Sequence, residues 1–138
     1  MTSTRNDARV RPSVGDLLPE LRLQVTATFV VSTALATRDF QDVHHDRDAA
    51  VARGSKDIFL NILTTTGLVQ RCVTDWAGPH AQVLGVKVRL GVPCYAGDTL
   101  TLSGRVVAVN PEVVVEVVGR CGLGDHVTGR VRLGWADS

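Results

Sequence analysis

Two hydrophobic periods divide the chain. Leu21, Leu23, Val25, Ala27 and Phe29 alternate with Arg22, Gln24, Thr26 and Thr28, and this period of two predicts a half-buried strand over residues 21–30. Residues 31–36 follow as a short helical turn. Residues 38–46 are the most polar stretch of the chain. Asp46 suits the N-cap of a short helix over residues 47–53 that stops at Gly54. Ile58, Phe59, Ile62, Leu63, Leu68, Val69, Cys72, Val73 and Trp76 then recur at helical spacing. They predict a long helix over residues 58–76, capped by Ser55 or Asp57 and ended by Gly78-Pro79. Its Thr64-Thr-Thr-Gly67 segment is poor in helix propensity but small enough for close approach to a sheet. The remainder reads as strands over residues 81–90, 99–109, 113–120 and 127–135, with turns at Asn110-Pro111 and Gly122-Leu-Gly-Asp125.

One strand, helical segments with one long helix, then four strands predict an α+β domain whose antiparallel sheet wraps around that helix. Residues 1–15 have no periodicity and read as a flexible lead-in. Residues 16–138 are one domain, and a second would not fit in 138 residues.

Composition narrows the function classes. Fifteen Lys+Arg against fourteen Asp+Glu give a net charge of +1, which argues against nucleic-acid binding by phosphate neutralisation. No apolar run approaches the roughly 20 residues of a membrane span, and Met1–Val14 lacks the apolar stretch of a secretory signal. The three cysteines, Cys72, Cys94 and Cys121, have neither C-x-x-C nor zinc spacing. They fit free thiols in a reducing cytoplasm, with no metal expected. Valine dominates the apolar residues, against three Phe, one Tyr and two Trp, so the core is aliphatic.

The candidate chemistry lies in Asp39-Phe-Gln-Asp-Val-His44-His45-Asp46. A carboxylate and an imidazole held together can position a water and exchange its proton near neutral pH. A solvated capping loop is the plain alternative. A metal site is a third, disfavoured because adjacent side chains diverge.

The same run resembles the D-x-N-P-x-H-x-D motif of MaoC-like, R-specific enoyl-CoA hydratases. Residues 88–100, ending Ala96-Gly97-Asp98-Thr99-Leu100, are similar to the R-F-x-x-P-V-x-x-G-D-T-L segment of that family. The resemblance covers nearly all of the chain after residue 16. It implies a hot-dog fold, an antiparallel sheet curled around one central helix. Residues 38–48, 54–67 and 74–79 narrow it to the small subunits of heteromeric bacterial steroid side-chain enoyl-CoA hydratases. The implied partner is a larger MaoC-like subunit, which can be fused to an OB-fold domain, in a heterotetramer of two of each.

By this resemblance Asp39 and His44 are the catalytic pair for syn addition of water to a trans-2-enoyl-CoA. The backbone amide of Asn61 serves the developing oxyanion, and Leu60 and Arg89 contact substrate. CoA belongs to the substrate and no separate cofactor is implied. Gln41-Asp42 replaces the usual Asn-Pro, Asn61 a glycine, and Leu60 a His or Ser; the leucine suits a bulky apolar acyl chain. An acyl-CoA thioesterase using Asp39, and a non-catalytic subunit lending half a pocket, are the other two readings. His45 reads as solvent-facing, Trp76 as helix-end core, Asp98 as a turn residue, and His80 and His126 as turn residues without a signal.

Overall fold

The computed structural model describes residues 11–135. Strand β1 (Leu21–Val25) leads into helix α1 (Ala27–Ala36). A single 3-10 turn (Asp42–His44) and the short helix α2 (Arg47–Ala52) precede the long helix α3 (Ile62–Ala77). Strands β2 (Ala81–Leu90), β3 (Asp98–Ala108), β4 (Val113–Cys121) and β5 (Gly124–Trp135) follow. All five strands form one sheet in the order β1-β3-β4-β5-β2, and every neighbouring pair is antiparallel. The expected α+β architecture is the observed one.

One face of the sheet receives α3. Leu100, Leu102 and Val106 of β3, Val115 and Val117 of β4, and Val127, Val131 and Leu133 of β5 are buried in one cluster with Leu68, Val69, Cys72 and Val73 of α3. Burying each such side chain contributes about 1.5–3 kcal/mol. Trp76 packs against the edge of this cluster, as its helical spacing predicts. At the closest approach Gly129 of β5 lies under α3, where an added Cβ would stand 2.8 Å from Val69 Cγ1. The opposite face is polar. Arg105, Glu116 and Arg130 align across β3, β4 and β5, with Glu116 3.6 Å from Arg105 and 2.6 Å from Arg130. The Arg130 hydrogen bond is the main reason the Glu116 carboxyl is held below its ordinary range.

Three boundaries differ from the sequence expectation. The first strand ends at Val25, not residue 30. Its partner β3 begins at Asp98, opposite Val25, so no ladder exists to extend it. Thr26 Oγ1 instead accepts the Phe29 N–H at 3.0 Å and caps α1. The long helix begins at Ile62, not residue 58, because Ile58–Leu60 is extended and bonded elsewhere. The last strand begins at Gly124, since Cys121 pairs with Gly124 across a tight turn. His126 therefore lies within β5 and is buried.

Asp46 caps α2 as expected, accepting the Ala49 N–H at 3.1 Å. Residues 1–10 of the expected lead-in lie outside the described residues. Its end is tied to β3: the Gly15 N–H donates to the Val106 carbonyl at 2.8 Å, and the Val106 N–H donates to the Asp16 carbonyl at 2.9 Å. No helix of the described residues is long and apolar enough to cross a membrane.

The contact between Gly129 and Val69 sets the distance from helix to sheet. Gly129→Ala is expected to lower stability by about 1–3 kcal/mol through overpacking against a stiff β-branched neighbour. Urea unfolding of the variant beside the parent measures it.

Candidate active site

The site is assembled where α1 ends and α3 begins. Chain 58–60 runs extended beside residues 94–96. The Leu60 N–H donates to the Cys94 carbonyl at 3.1 Å and the Ala96 N–H to the Ile58 carbonyl at 3.0 Å, with Phe59 opposite Tyr95. The Phe59 N–H in turn donates to the Val43 carbonyl at 3.3 Å. Upstream, Asp57 Oδ1 accepts the Ile58 N–H and the Arg47 Nε–H, each at 2.7 Å. The Arg47 hydrogen bond is the largest reason that its carboxyl is held below its ordinary range.

The 3-10 turn carries His44 inward, where it is buried, while His45 is exposed. His44 Nδ1 lies 2.8 Å from the Phe59 carbonyl oxygen. A carbonyl can only accept, so Nδ1 carries the hydrogen. In the neutral ring the Nε2 lone pair is then free, and it faces Asp39 Oδ2 at 3.5 Å. The Phe59 ring stands edge-on to the imidazole at a centroid distance of 4.9 Å. Asp39 follows Arg38, whose φ of 58° is the left-handed conformation that few non-glycine residues adopt. The Asp39 N–H donates to the Ala34 carbonyl at 2.9 Å, closing α1.

Asn61 brings α3 to the same point. Its Oδ1 accepts the Thr64 N–H at 3.3 Å as the N-cap. Its Nδ2 donates to Thr37 Oγ1 at 2.8 Å and to Asp39 Oδ2 at 3.2 Å. The Asn61 backbone N–H donates no hydrogen bond among the described residues. It sits at a helix start, where unpaired amides and the dipole favour negative charge.

Asp39, His44 and Asn61 are thus together, while the Leu60 side chain is buried in the hydrophobic core. Arg89 is elsewhere. It pairs with Thr128 in register and lines a groove with Lys87, Glu116, Val118 and Arg130 on the sheet face away from α3.

Sequence reading missed Thr37 and the Phe59 carbonyl. Neither a helix-end threonine nor a backbone oxygen carries a pattern that marks it. It also passed over His126, whose Nδ1–H donates to the Val92 carbonyl at 2.7 Å and whose Nε2 lies 2.8 Å from Thr65 Oγ1. This histidine ties the first turn of α3 to β5.

Among the described residues one group could bring three ligand atoms to a metal: Cys94, Asp98 and Cys121, within 4.8 Å of one another. Burial is the main cause that pushes the Cys94 thiol up to about 12. Asp98 already accepts the Thr99 and Gly122 amides, at 2.8 and 2.9 Å. These features fit a protonated core thiol and a turn-closing carboxylate.

A helix held in a curled antiparallel sheet, with an Asp–His pair at the helix start, defines a class of protein, and known sequences and structures agree with it. The model of the MaoC like domain matches residues 14–121. The chain is 68% identical over 126 residues to the 3-oxo-4,17-pregnadiene-20-carboxyl-CoA hydratase beta subunit of Mycobacterium tuberculosis, covering 91% of this chain and 98% of that one. It superposes with a TM-score of 0.89 and 65% identity on a chain of the ChsH1-ChsH2 complex from M. tuberculosis, covering 91% of this chain and 100% of that one. An (R)-hydratase from A. caviae involved in PHA biosynthesis shares the fold at 20% identity and a TM-score of 0.82, over 91% and 98% of the two chains. The chain belongs to the MaoC-like family and has its hot-dog fold.

Burial holds the His126 pKa below the ordinary value of 6.5. Below that pH the unfolded chain binds a proton that the folded chain refuses, so stability falls as pH drops from 6.5 toward the depressed folded value. His126→Asn is expected to flatten the slope of stability as pH falls below 6.5, read from urea midpoints at each pH.

Proposed function

We propose that this chain is the catalytic small subunit of a heteromeric enoyl-CoA hydratase acting on a steroid side-chain thioester. The observation that carries this reading is the fixed tautomer of His44. With Nδ1–H held by the Phe59 carbonyl, His44 Nε2 and Asp39 Oδ2 present two acceptors 3.5 Å apart. One water can donate a hydrogen to each.

Such a water has its oxygen lone pairs directed outward, toward C3 of a bound trans-2-enoyl-CoA. His44 Nε2 takes one proton as the C3–O bond forms. The electrons of the C2=C3 bond move onto the thioester oxygen, which the Asn61 backbone N–H stabilises. The imidazolium then returns the proton to C2 on the same face, and neutral His44 is restored. Asp39 orients the water and balances the transient imidazolium charge. Leu60, buried in the core, leaves no polar side chain at the residue before the oxyanion amide. Arg89, on the outer face of the sheet, stands apart from the reacting carbons and has no part in this step.

The surface around the pair supports a second subunit. Phe40 is 65% exposed, Ile62 50% and Leu63 55%. Phe40 adjoins Asp39 in sequence and Ile62-Leu63 follows Asn61, and exposed apolar side chains next to a polar site mark a surface that something covers. The larger MaoC-like subunit supplies the missing wall of the acyl pocket.

Co-expressed with that partner, the parent chain is expected to hydrate 3-oxo-4,17-pregnadiene-20-carboxyl-CoA, seen as loss of the absorbance of the side-chain double bond conjugated to the thioester, the ring enone being retained. Asp39→Asn and His44→Ala should each lower kcat by about 10²–10⁴-fold. Free thiol release without hydration of the side-chain double bond would instead identify a thioesterase. Undiminished activity in both variants would place the chemistry on the partner.

A further inference from the structure

The side-chain amide of Asn61 is fully committed. Its Oδ1 must be the atom facing the Thr64 N–H at 3.3 Å, because an NH₂ group could not accept there. Both Nδ2 hydrogens therefore point the other way. One goes to Thr37 Oγ1 at 2.8 Å and the other to Asp39 Oδ2 at 3.2 Å. Thr37 is able to accept because its own hydroxyl hydrogen is directed back into α1, toward the Thr33 and Ala34 carbonyls at 2.8 and 3.1 Å.

Asp39 needs this support. Among the described residues its other oxygen has only the Gln41 N–H, at a long 3.4 Å, and its backbone leaves a left-handed residue. The oxygen held by Asn61 is the one that faces His44 Nε2.

We propose that the Asn61 side chain is a positioning residue. It clamps the Asp39 carboxylate in register with His44 and anchors it, through Thr37, to the C-terminal end of α1. This is separate from the role of the Asn61 backbone amide, and it rests on the hydratase reading. The clamp makes helix capping and site geometry one interaction: the amide that starts α3 also sets the rotamer of the water-binding carboxylate.

Serine at residue 61 separates the two. It keeps the backbone N–H and a capping oxygen for the Thr64 N–H, but cannot donate to Asp39 and Thr37 together. In the complex with the larger subunit, Asn61→Ser is expected to lower kcat by about 10- to 100-fold, as for a misplaced catalytic group. KM should stay within about twofold and the melting temperature should be retained.

Asn61→Asp keeps the shape and the cap but sets a second carboxylate against Asp39, and should be the most damaging change. Thr37→Val should lower kcat less than Asn61→Ser and add nothing to it in the double variant, because both act through one network. An Asn61→Ser complex whose kcat stays within about threefold of the parent overturns the clamp. So does a loss confined to KM or matched by a fall in melting temperature. A parent complex that fails to hydrate the thioester overturns the hydratase reading instead.

Discussion

The site depends on a short backbone bridge more than on any side chain. Residues 58–60 lie antiparallel to residues 94–96, held by the Leu60 to Cys94 and Ala96 to Ile58 hydrogen bonds. While that pairing lasts, the chain cannot be helical, although Ile58 and Phe59 fit the apolar period of the helix that follows. The bridge therefore fixes where α3 starts. It places Asn61 at the cap, with an amide unpaired among the described residues, and turns the Phe59 carbonyl toward His44 Nδ1. A different end to this bridge would move the tautomer, the cap and the Asn61 amide together.

The sheet contributes a platform. Its buried face is a close-packed aliphatic layer on which α3 rests, and Gly129 lets the helix come down onto β5. His126 then joins the first turn of α3 to that same strand and to the carbonyl of Val92. The N-terminal end of α3 is thus fixed from below by packing and from the side by hydrogen bonds. That rigidity matters because a reactive constellation works only when its groups are held within fractions of an ångström of one geometry.

Much of this was legible from residue order. The four C-terminal strands were readable because half-buried strands in a valine-rich chain alternate cleanly; β2 begins and ends where its pattern does. The Asp–His pair was readable because polar residues crowd an otherwise apolar region. Other features were hidden for identifiable reasons. Alternation over Thr26–Val30 looks like a strand until one knows that β3 offers no partner beyond Asp98. Ile58 and Phe59 look helical until the bridge to residues 94–96 is seen. Asn61 could be read as a cap or as an amide donor. That its side chain reaches both Thr37 and Asp39 is a tertiary fact, since α1 and α3 meet only in space. The placement of Arg89 on the outer face follows from its register with Thr128, which its own strand does not reveal.

Every polar group that meets in the site is carried by residues 37–61, from the last turn of α1 to the first of α3. None is carried by the strands. Shape and reactivity are therefore separately heritable in this molecule. A duplicated gene could lose the reactive groups of that one segment and still encode a folded barrel-like half, useful for its surface alone. Conversely, substitutions across the sheet could reshape an acyl pocket or a subunit contact without disturbing proton transfer. A fold so divided lends itself to unequal pairs, in which one member keeps the chemistry and the other is free to specialise in recognition.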